Sequence, residues 1–330
     1  MFVPTAYGTA LLLMILSMVC WGSWANTQKL SKNRRFELFY WDYVWGILLM
    51  AVLMAYTLGS TNPQSPESFM ANLGAADAHH LLLAFLGGMI FNVANILLVA
   101  AIAIAGLAVA FPIAIGLALV IGSVLNYLIT PAGNPLLLFG GVSLVSVAIV
   151  LDALAYRKIS QDLKLSTKGI LLSLLSGVGM GLFYPFVTKA LKGEHHLGPY
   201  AVAYVFGIGV LACTIPLNYI LMRKPISGPP VSIADYLQGS KSLHFWGVLG
   251  GMIWGVGTIS NFVASYVQMV GPSTSYARGQ GATMVSALWG VLVWKEFAGA
   301  GRSVKRLLAM MFVVFILGLA SVALAPVVRF

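Results

Sequence analysis

Continuous apolar runs alternate with short polar connections along this chain. The runs lack the two-residue alternation of half-buried strands and the single apolar stripe of a soluble helix. A helix that crosses a bilayer needs about 20 mostly apolar residues. Ten runs meet that requirement: Tyr7–Asn26, Leu38–Leu58, Leu81–Ala103, Leu107–Ile129, Leu136–Ala155, Gly169–Lys189, Tyr200–Met222, Phe245–Gln268, Ser273–Trp294 and Lys305–Leu324. Strands of a membrane barrel would alternate apolar and polar positions instead. The predicted class is therefore an all-α membrane protein with ten transmembrane helices. Two connections are very short and turn at Gly106 and at Gly271-Pro272. Two longer ones, Gly59–His80 and Arg223–Leu243, are rich in Pro, Ser and Gly, and neither reads as a separate domain.

Composition closes off the soluble alternatives. Only 8% of the 330 residues are charged and 59% are hydrophobic, with a mean hydropathy of +0.91; a soluble domain carries roughly 25% charged residues. No Asp, Glu, Lys or Arg stands between Asp77 and Asp152. Disorder, collagen, a disulfide-knit fold and a nucleic-acid-binding domain are excluded, so the net charge of +10 concerns topology. Cys20 and Cys213 fall in apolar runs, where a thiol acts as a small hydrophobe. The pairs His79-His80 and His195-His196 lie in connections without metal-ligand spacing, so no metal and no bound cofactor is expected. The first run lacks a basic preface and a small-residue cleavage site, so it is expected to remain as a span.

Basic residues orient the spans. Connections from odd to even spans hold Lys29, Lys32, Arg34, Arg35, Arg157, Lys158, Lys164, Lys168, Arg223, Lys224, Lys241, Lys295, Arg302, Lys305 and Arg306. The opposite side holds only Lys189, Lys192 and Arg329. The positive-inside rule places the rich side in the cytoplasm and both termini outside, in a cell membrane of the bacterial inner-membrane kind.

The chain also repeats itself. Gly8-Thr-Ala-Leu-Leu-Leu aligns with Gly169-Ile-Leu-Leu-Ser-Leu, and the same offset pairs Thr27 with Thr188 and Leu30 with Leu191. The third and eighth spans share Leu86-Gly-Gly-Met-Ile90 and Leu249-Gly-Gly-Met-Ile253. The division is a first five-helix repeat over 1–156, a cytoplasmic connection over 157–168 and a second five-helix repeat over 169–330. Five is odd, so the halves face opposite ways across the membrane. Inverted repeats are an architecture of secondary transporters, with the substrate near the midplane.

Several short motifs carry a resemblance: Trp21-Gly22-Ser23, Trp41-Asp42-Tyr43, Gly87-Gly88 with Asn95, Gly106-Leu107 through Leu125-Asn126-Tyr127, and Trp289-Gly-Val-Leu-Val-Trp-Lys-Glu296. With ten spans as five plus five, the chain resembles the drug/metabolite transporter superfamily. Within it, the chain is similar to the ureide permeases and to the bacterial sugar-uptake porters of the glucose/ribose and rhamnose types. The plant ureide permeases carry a long central insert that this chain replaces with Arg157–Lys168. The resemblance implies uptake of a small polar solute, a monosaccharide or a ureide or nucleobase, driven by a proton gradient.

Candidate site residues lie on polar faces within the spans. Trp254, Thr258, Asn261, Ser265 and Gln268 share one face of the eighth span, and Ser17, Trp21, Trp24 and Gln28 one face of the first. Such faces either bond neighbouring helices or wall a cavity. Asn95 in the third span offers a donor and an acceptor to a hydroxyl or an NH–CO unit. Tyr276 and Gln280 share a face of the ninth span with Ser273, and Gly279 and Gly281 permit close approach there. Arg278 is the one base deep in a span and a functional candidate on that ground. Tyr184-Pro185 predicts a kink that turns Tyr184 toward the cavity. The expected substrate-binding set is Trp21, Trp24, Asn95, Tyr184, Trp254, Asn261, Tyr276, Arg278 and Gln280. Asp42, one turn into the second span, is the candidate proton carrier, because an ionisable group held in an apolar span can cycle between charged and neutral forms. Asp152 and Glu296 read as structural acids. No paired acids, activated nucleophile or phosphate loop is visible, so the chain is not expected to be an enzyme or an ATP-driven pump. The expected partners are a small-molecule substrate and the lipid bilayer, with the protein a monomer or homodimer.

Overall fold

A computed structural model describes residues 1–31, 34–105, 107–159, 166–226 and 228–328. Lys32, Gly106, Lys164 and Arg329, named above, lie outside the described residues, as do residues 160–165 of the connection 157–168. The described elements are all helical: α1 (Tyr7–Ser23), α2 (Asn26–Leu30), α3 (Phe36–Tyr56), α4 (Phe69–Ala75), α5 (Ala78–Ala105), α6 (Leu107–Ile129), α7 (Pro135–Ile159), α8 (Thr167–Ala190), α9 (Pro199–Arg223), α10 (Ile233–Leu237), α11 (Lys241–Tyr266), α12 (Pro272–Gly279), α13 (Ala282–Leu288) and α14 (Arg302–Leu324). Nine helices among the described residues are long and apolar enough to cross a membrane: α1 continued by α2, then α3, α5, α6, α7, α8, α9, α11 and α14. Their outer faces expose Leu12, Leu128, Leu136, Val313 and Leu317. Apolar surface of that extent suits lipid and not water. The chain is an integral membrane protein.

The predicted ninth span is not one helix. It runs as α12, then α13, then a π-helical turn over Trp289–Val293. The first break falls at Gly279-Gln280-Gly281, where two glycines each cost a helix about 1 kcal/mol. The glycines serve packing: a β-carbon on Gly279 would stand 2.5 Å from the Trp21 ring, and one on Gly281 2.5 Å from the Met18 sulfur. Facing them, Gly22 lets α1 approach within 2.5 Å of Ala282 O by the same measure. Gly271, at φ 77°, takes a left-handed conformation that only glycine adopts freely, and Pro272 then starts α12 at its first turn.

Several helix pairs recur with the order of the elements exchanged. α8 packs on α5 and α6, and α1 packs on α11 and on α12 and α13. α9 packs on α5 as α3 does on α11, while α3 meets α9, α6 meets α12 and α7 meets α14. Four glycines make the closest of these crossings. A β-carbon would stand 2.1 Å from Val248 O at Gly46 and 2.2 Å from Phe85 O at Gly209. At Gly88 it would meet Phe206 O at 2.1 Å, and at Gly251 Tyr43 O at 1.9 Å. The interval from Gly46 to Gly209 equals that from Gly88 to Gly251, and the carbonyl partners keep it too.

Two separate sets of bonds close the two ends of the bundle. At the basic end, Arg35 donates to Pro229 O (2.7 Å), Lys29 to Glu296 Oε1 (2.5 Å) and Lys158 to Ser303 Oγ (2.5 Å). At the other end, Phe2 N donates to Leu58 O, Tyr200 to Phe2 O and Asn134 N to Ala325 O. The described parts of both chain ends, at Phe2 and Ala325, therefore lie opposite the basic connections.

Candidate functional site

Among the helices lies a cavity of about 160 Å³, walled by α1, α5, α6, α8, α11 and the broken segment α12–α13. Aromatic faces dominate it. Trp254 stacks on Phe91 with centroids 4.5 Å apart and on Trp21 at 6.3 Å, and Phe183 and Tyr276 add further ring surface. Trp21 is held by its Nε1, which donates to Thr258 Oγ1 at 2.9 Å. Asn95 Nδ2 donates to the Tyr40 hydroxyl at 3.1 Å, and that hydroxyl donates to Asn92 Oδ1 at 2.6 Å. This relay fixes the Asn95 amide and leaves its oxygen without a bond among the described residues. The Gln280 side chain has no such bond either. Thr283 and Ser286 bring hydroxyls to the wall nearer the basic end. No Asp, Glu, Lys, Arg or His is among the lining residues, so the site suits an uncharged solute.

Six of the residues singled out from sequence meet here: Trp21, Trp24, Asn95, Trp254, Tyr276 and Gln280. Tyr184, Asn261 and Arg278 do not. α8 continues through Pro185 without interruption, and Tyr184 donates to Asn261 Oδ1 at 2.5 Å. The Asn261 amide nitrogen donates to Ser17 Oγ and Ser275 O, at 3.1 and 3.0 Å, so this asparagine ties three helices together behind the wall. Arg278 turns toward α14, where Nη1 donates to Leu319 O at 2.5 Å. Asp42 also stands apart from the cavity. Its carboxylate accepts from Arg34 Nη1 (2.8 Å) and the Tyr236 hydroxyl (2.7 Å) and lies 2.9 Å from His244 Nδ1. Both Asp42 and Arg34 are buried. The geometry places Asp42 at the centre of a hydrogen-bonded cluster that joins α3 to α10 and α11. Burial and the neighbouring Asp42 carboxylate push the Tyr236 phenol up.

Sequence reasoning missed Phe91, Phe183 and Phe111, because an aromatic in an apolar span carries no signal of which way it faces. It also missed what the motif from Trp289 to Glu296 does. Trp289 Nε1 donates to Ser23 Oγ (2.8 Å), Trp294 Nε1 to Asn26 Oδ1 (2.5 Å), and Glu296 pairs with Lys29. The end of the broken segment is thus bonded to the motif that closes α1. A bonded layer seals the cavity from the other end. Tyr276 Oη lies 2.9 Å from Met180 O, Ser273 donates to Ser123 O, and Ser275 to Asn261 O. Beyond that layer is an outer pocket of about 670 Å³, lined in part by Lys192, His196, Tyr266 and Gln268. Burial holds the Lys192 ammonium below its ordinary value.

A helical membrane bundle with an uncharged cavity among its helices, closed at one end, is the architecture of a membrane transporter. The sequence profile of the Ureide permease family matches residues 39–170 and 158–325. The chain is 23% identical to ureide permease 1 of Arabidopsis thaliana over 387 residues, covering 97% of each chain, and 24% identical to ureide permease 2 of the same plant over 395 residues, covering 97% of this chain and 98% of that one. A probable ureide permease A3 of Vigna unguiculata is 22% identical over 372 residues, 89% of this chain and 97% of that one. The chain belongs to the ureide permease family. These alignments run longer than the chain itself, so the relatives carry inserted segments that it lacks.

Proposed function

We propose that the chain carries a small, flat, neutral solute of the ureide or nucleobase class, by alternating access and in symport with protons. The observation that carries this reading is the cavity itself. Stacked ring faces of Trp21, Trp254 and Phe91 take a planar ring, and the amides of Asn95 and Gln280 offer the complement of an NH–CO edge. A volume of about 160 Å³ equals that of roughly five waters, enough for one small ring and too little for a nucleotide. The names of the plant relatives point to the same chemistry.

The broken segment α12–α13 with its π-turn is the ninth of ten crossings, and the halves 1–156 and 169–330 are an inverted five-plus-five repeat. What supports this is the exchange symmetry of the helix pairs and the constant interval between the glycine crossings. A discontinuous helix at the site is a frequent feature of such transporters. With the basic end in the cytoplasm of a cell membrane and both termini outside, this conformation faces inward. A thermal-shift panel of monosaccharides, nucleobases, allantoin and organic cations tests the substrate class. Ligand at about 100 times its Kd adds roughly 2.7 kcal/mol of stability. Allantoin or a nucleobase is expected to give the largest shift, and stabilisation by monosaccharides alone overturns the reading.

A further inference from the structure

A second, smaller cavity of about 40 Å³ opens beside the first and shares Phe111, Thr283 and Ser286 with it. Its distinguishing wall is Asp152, on α7. The Asp152 Oδ1 atom is buried and has no hydrogen-bond partner among the described residues. Asp42 has three partners, including a guanidinium. The Asp42 carboxylate is thus satisfied by its neighbours, whereas the Asp152 oxygen lacks the donor that a buried acceptor needs. The cavity volume admits a water, and Asp152, Tyr156, Thr283 and Ser286 supply the polar partners such a water needs. Thr283 and Ser286 line both cavities, so their hydroxyls lie between the substrate cavity and Asp152.

Few ionisable groups surround Asp152 among the described residues. On its own helix, Tyr156 stands one turn away and donates to Glu296 Oε2 at 2.7 Å. From the segment after the broken helix comes Glu296, a second acid, itself paired with Lys29 of α2. α6 and α13 present Phe111, Pro112, Thr283, Ser286 and Ala287, none of them ionisable near neutral pH. On α14, Arg302, Lys305 and Arg306 are exposed, and Lys158 of α7 reaches Ser303.

We propose that Asp152 is the acid that binds and releases the transported proton. This rests on the proton-coupled reading above and assigns the residue that carries it. The proton enters from the outside with substrate, forms an O–H bond at the Asp152 carboxylate, and leaves to the cytoplasmic side when substrate has gone. The charged form must be hydrated through the second cavity, which holds the basic end open. The neutral form needs no hydration and lets α13 close toward α7.

The test uses purified full-length protein in proteoliposomes, with Asp152→Asn, Asp152→Glu and, as a control, Asp235→Asn, an exposed acid that caps α10. An inward gradient of one pH unit is worth about tenfold accumulation of labelled allantoin or uracil for one proton per solute. The wild type, Asp152→Glu and Asp235→Asn are expected to accumulate the label. Asp152→Asn is expected to equilibrate it with no response to the gradient. Gradient-driven accumulation by Asp152→Asn overturns the proposal, and a wild type that transports without any response overturns proton coupling and this assignment together. Infrared difference spectra on the same proteins, with pH as the only variable, separate failure of the substrate class from failure of the proton site. Expected is a neutral-carboxyl band that titrates in the wild type and is absent from Asp152→Asn. Its persistence in that variant overturns the assignment even if neither label is carried.

Discussion

A carboxamide offers two donor hydrogens and an acceptor oxygen, and a buried one can bind solute only with what its neighbours leave unused. Asn261 has spent both kinds of atom on Tyr184, Ser17 and Ser275, whereas Asn95, in the cavity wall, keeps its oxygen without a bond among the described residues. Asn95→Ala is therefore expected to weaken allantoin or uracil binding by about 1–3 kcal/mol, roughly 5- to 150-fold, with a smaller effect on melting. Asn261→Ala should lower the melting temperature and leave affinity per folded molecule nearer the wild type. Equilibrium binding beside thermal melts separates the two, and the opposite ranking would return Asn261 to the site. Glu296 makes a pH prediction. Partial burial pushes its carboxyl up, but hydrogen bonds from Lys29 and Tyr156 outweigh this and hold it below the ordinary value. A depressed acid contributes stability above its ordinary value of about 4.3 and loses it as the pH falls through the folded value. Glu296→Gln is thus expected to melt slightly lower than wild type at neutral pH, modestly because the pair is part-exposed. The gap should close on acidification below that value; a gap independent of pH would mean packing rather than charge.

Glycine decides how closely the helices approach. Side chains normally hold helix axes 8–10 Å apart, and the crossings at Gly46, Gly88, Gly209 and Gly251 are tighter because backbone meets backbone. Gly251→Ala is expected to cost about 1–3 kcal/mol or more, since its β-carbon would overlap the Tyr43 carbonyl and neither backbone can yield alone. Gly116→Ala, with nothing within 4 Å of the new carbon, should be neutral or stabilising by up to about 1 kcal/mol. Thermal melts of the two variants check this, and equal losses would deny the crossing its close contact.

For the whole molecule, the two bonded ends make the orientation testable. Gln238 and Glu67 are exposed at opposite ends. In a background with Cys20 and Cys213 replaced, Glu67→Cys should react with an impermeant reagent on intact cells, and Gln238→Cys only after permeabilisation. The reverse pattern would invert the protein in its membrane. The Asp42 cluster belongs to this scale as well, because it ties α3 to α10 and α11. Asp42→Asn is expected to lower thermal stability while gradient-driven uptake per folded molecule persists, as proteoliposome assays would read.

Apolar run length alone was enough for nine of the ten predicted spans, since the cost of an unpaired backbone in lipid leaves a long apolar run little other choice. Shared Gly-Gly pairs and the polarity of Trp21, Asn95, Trp254 and Gln280 were legible too, because a polar or aromatic position in an apolar span stands out. What the sequence could not decide was which partner each such residue finds. Asn95 and Asn261 look alike as letters, and so do Asp42 and Asp152. Arg34, Tyr236 and His244 converge on Asp42 from separate segments, while no donor among the described residues reaches the buried Asp152 oxygen. The break at Gly279-Gln280-Gly281 was likewise invisible to hydropathy, which averages over a window, and it is the approach of α1 through Gly22 that turns those glycines into a wall of the cavity. Solvation and backbone bonding act locally and can be read along the chain, whereas the satisfaction of each polar group depends on neighbours that only the packed helices bring.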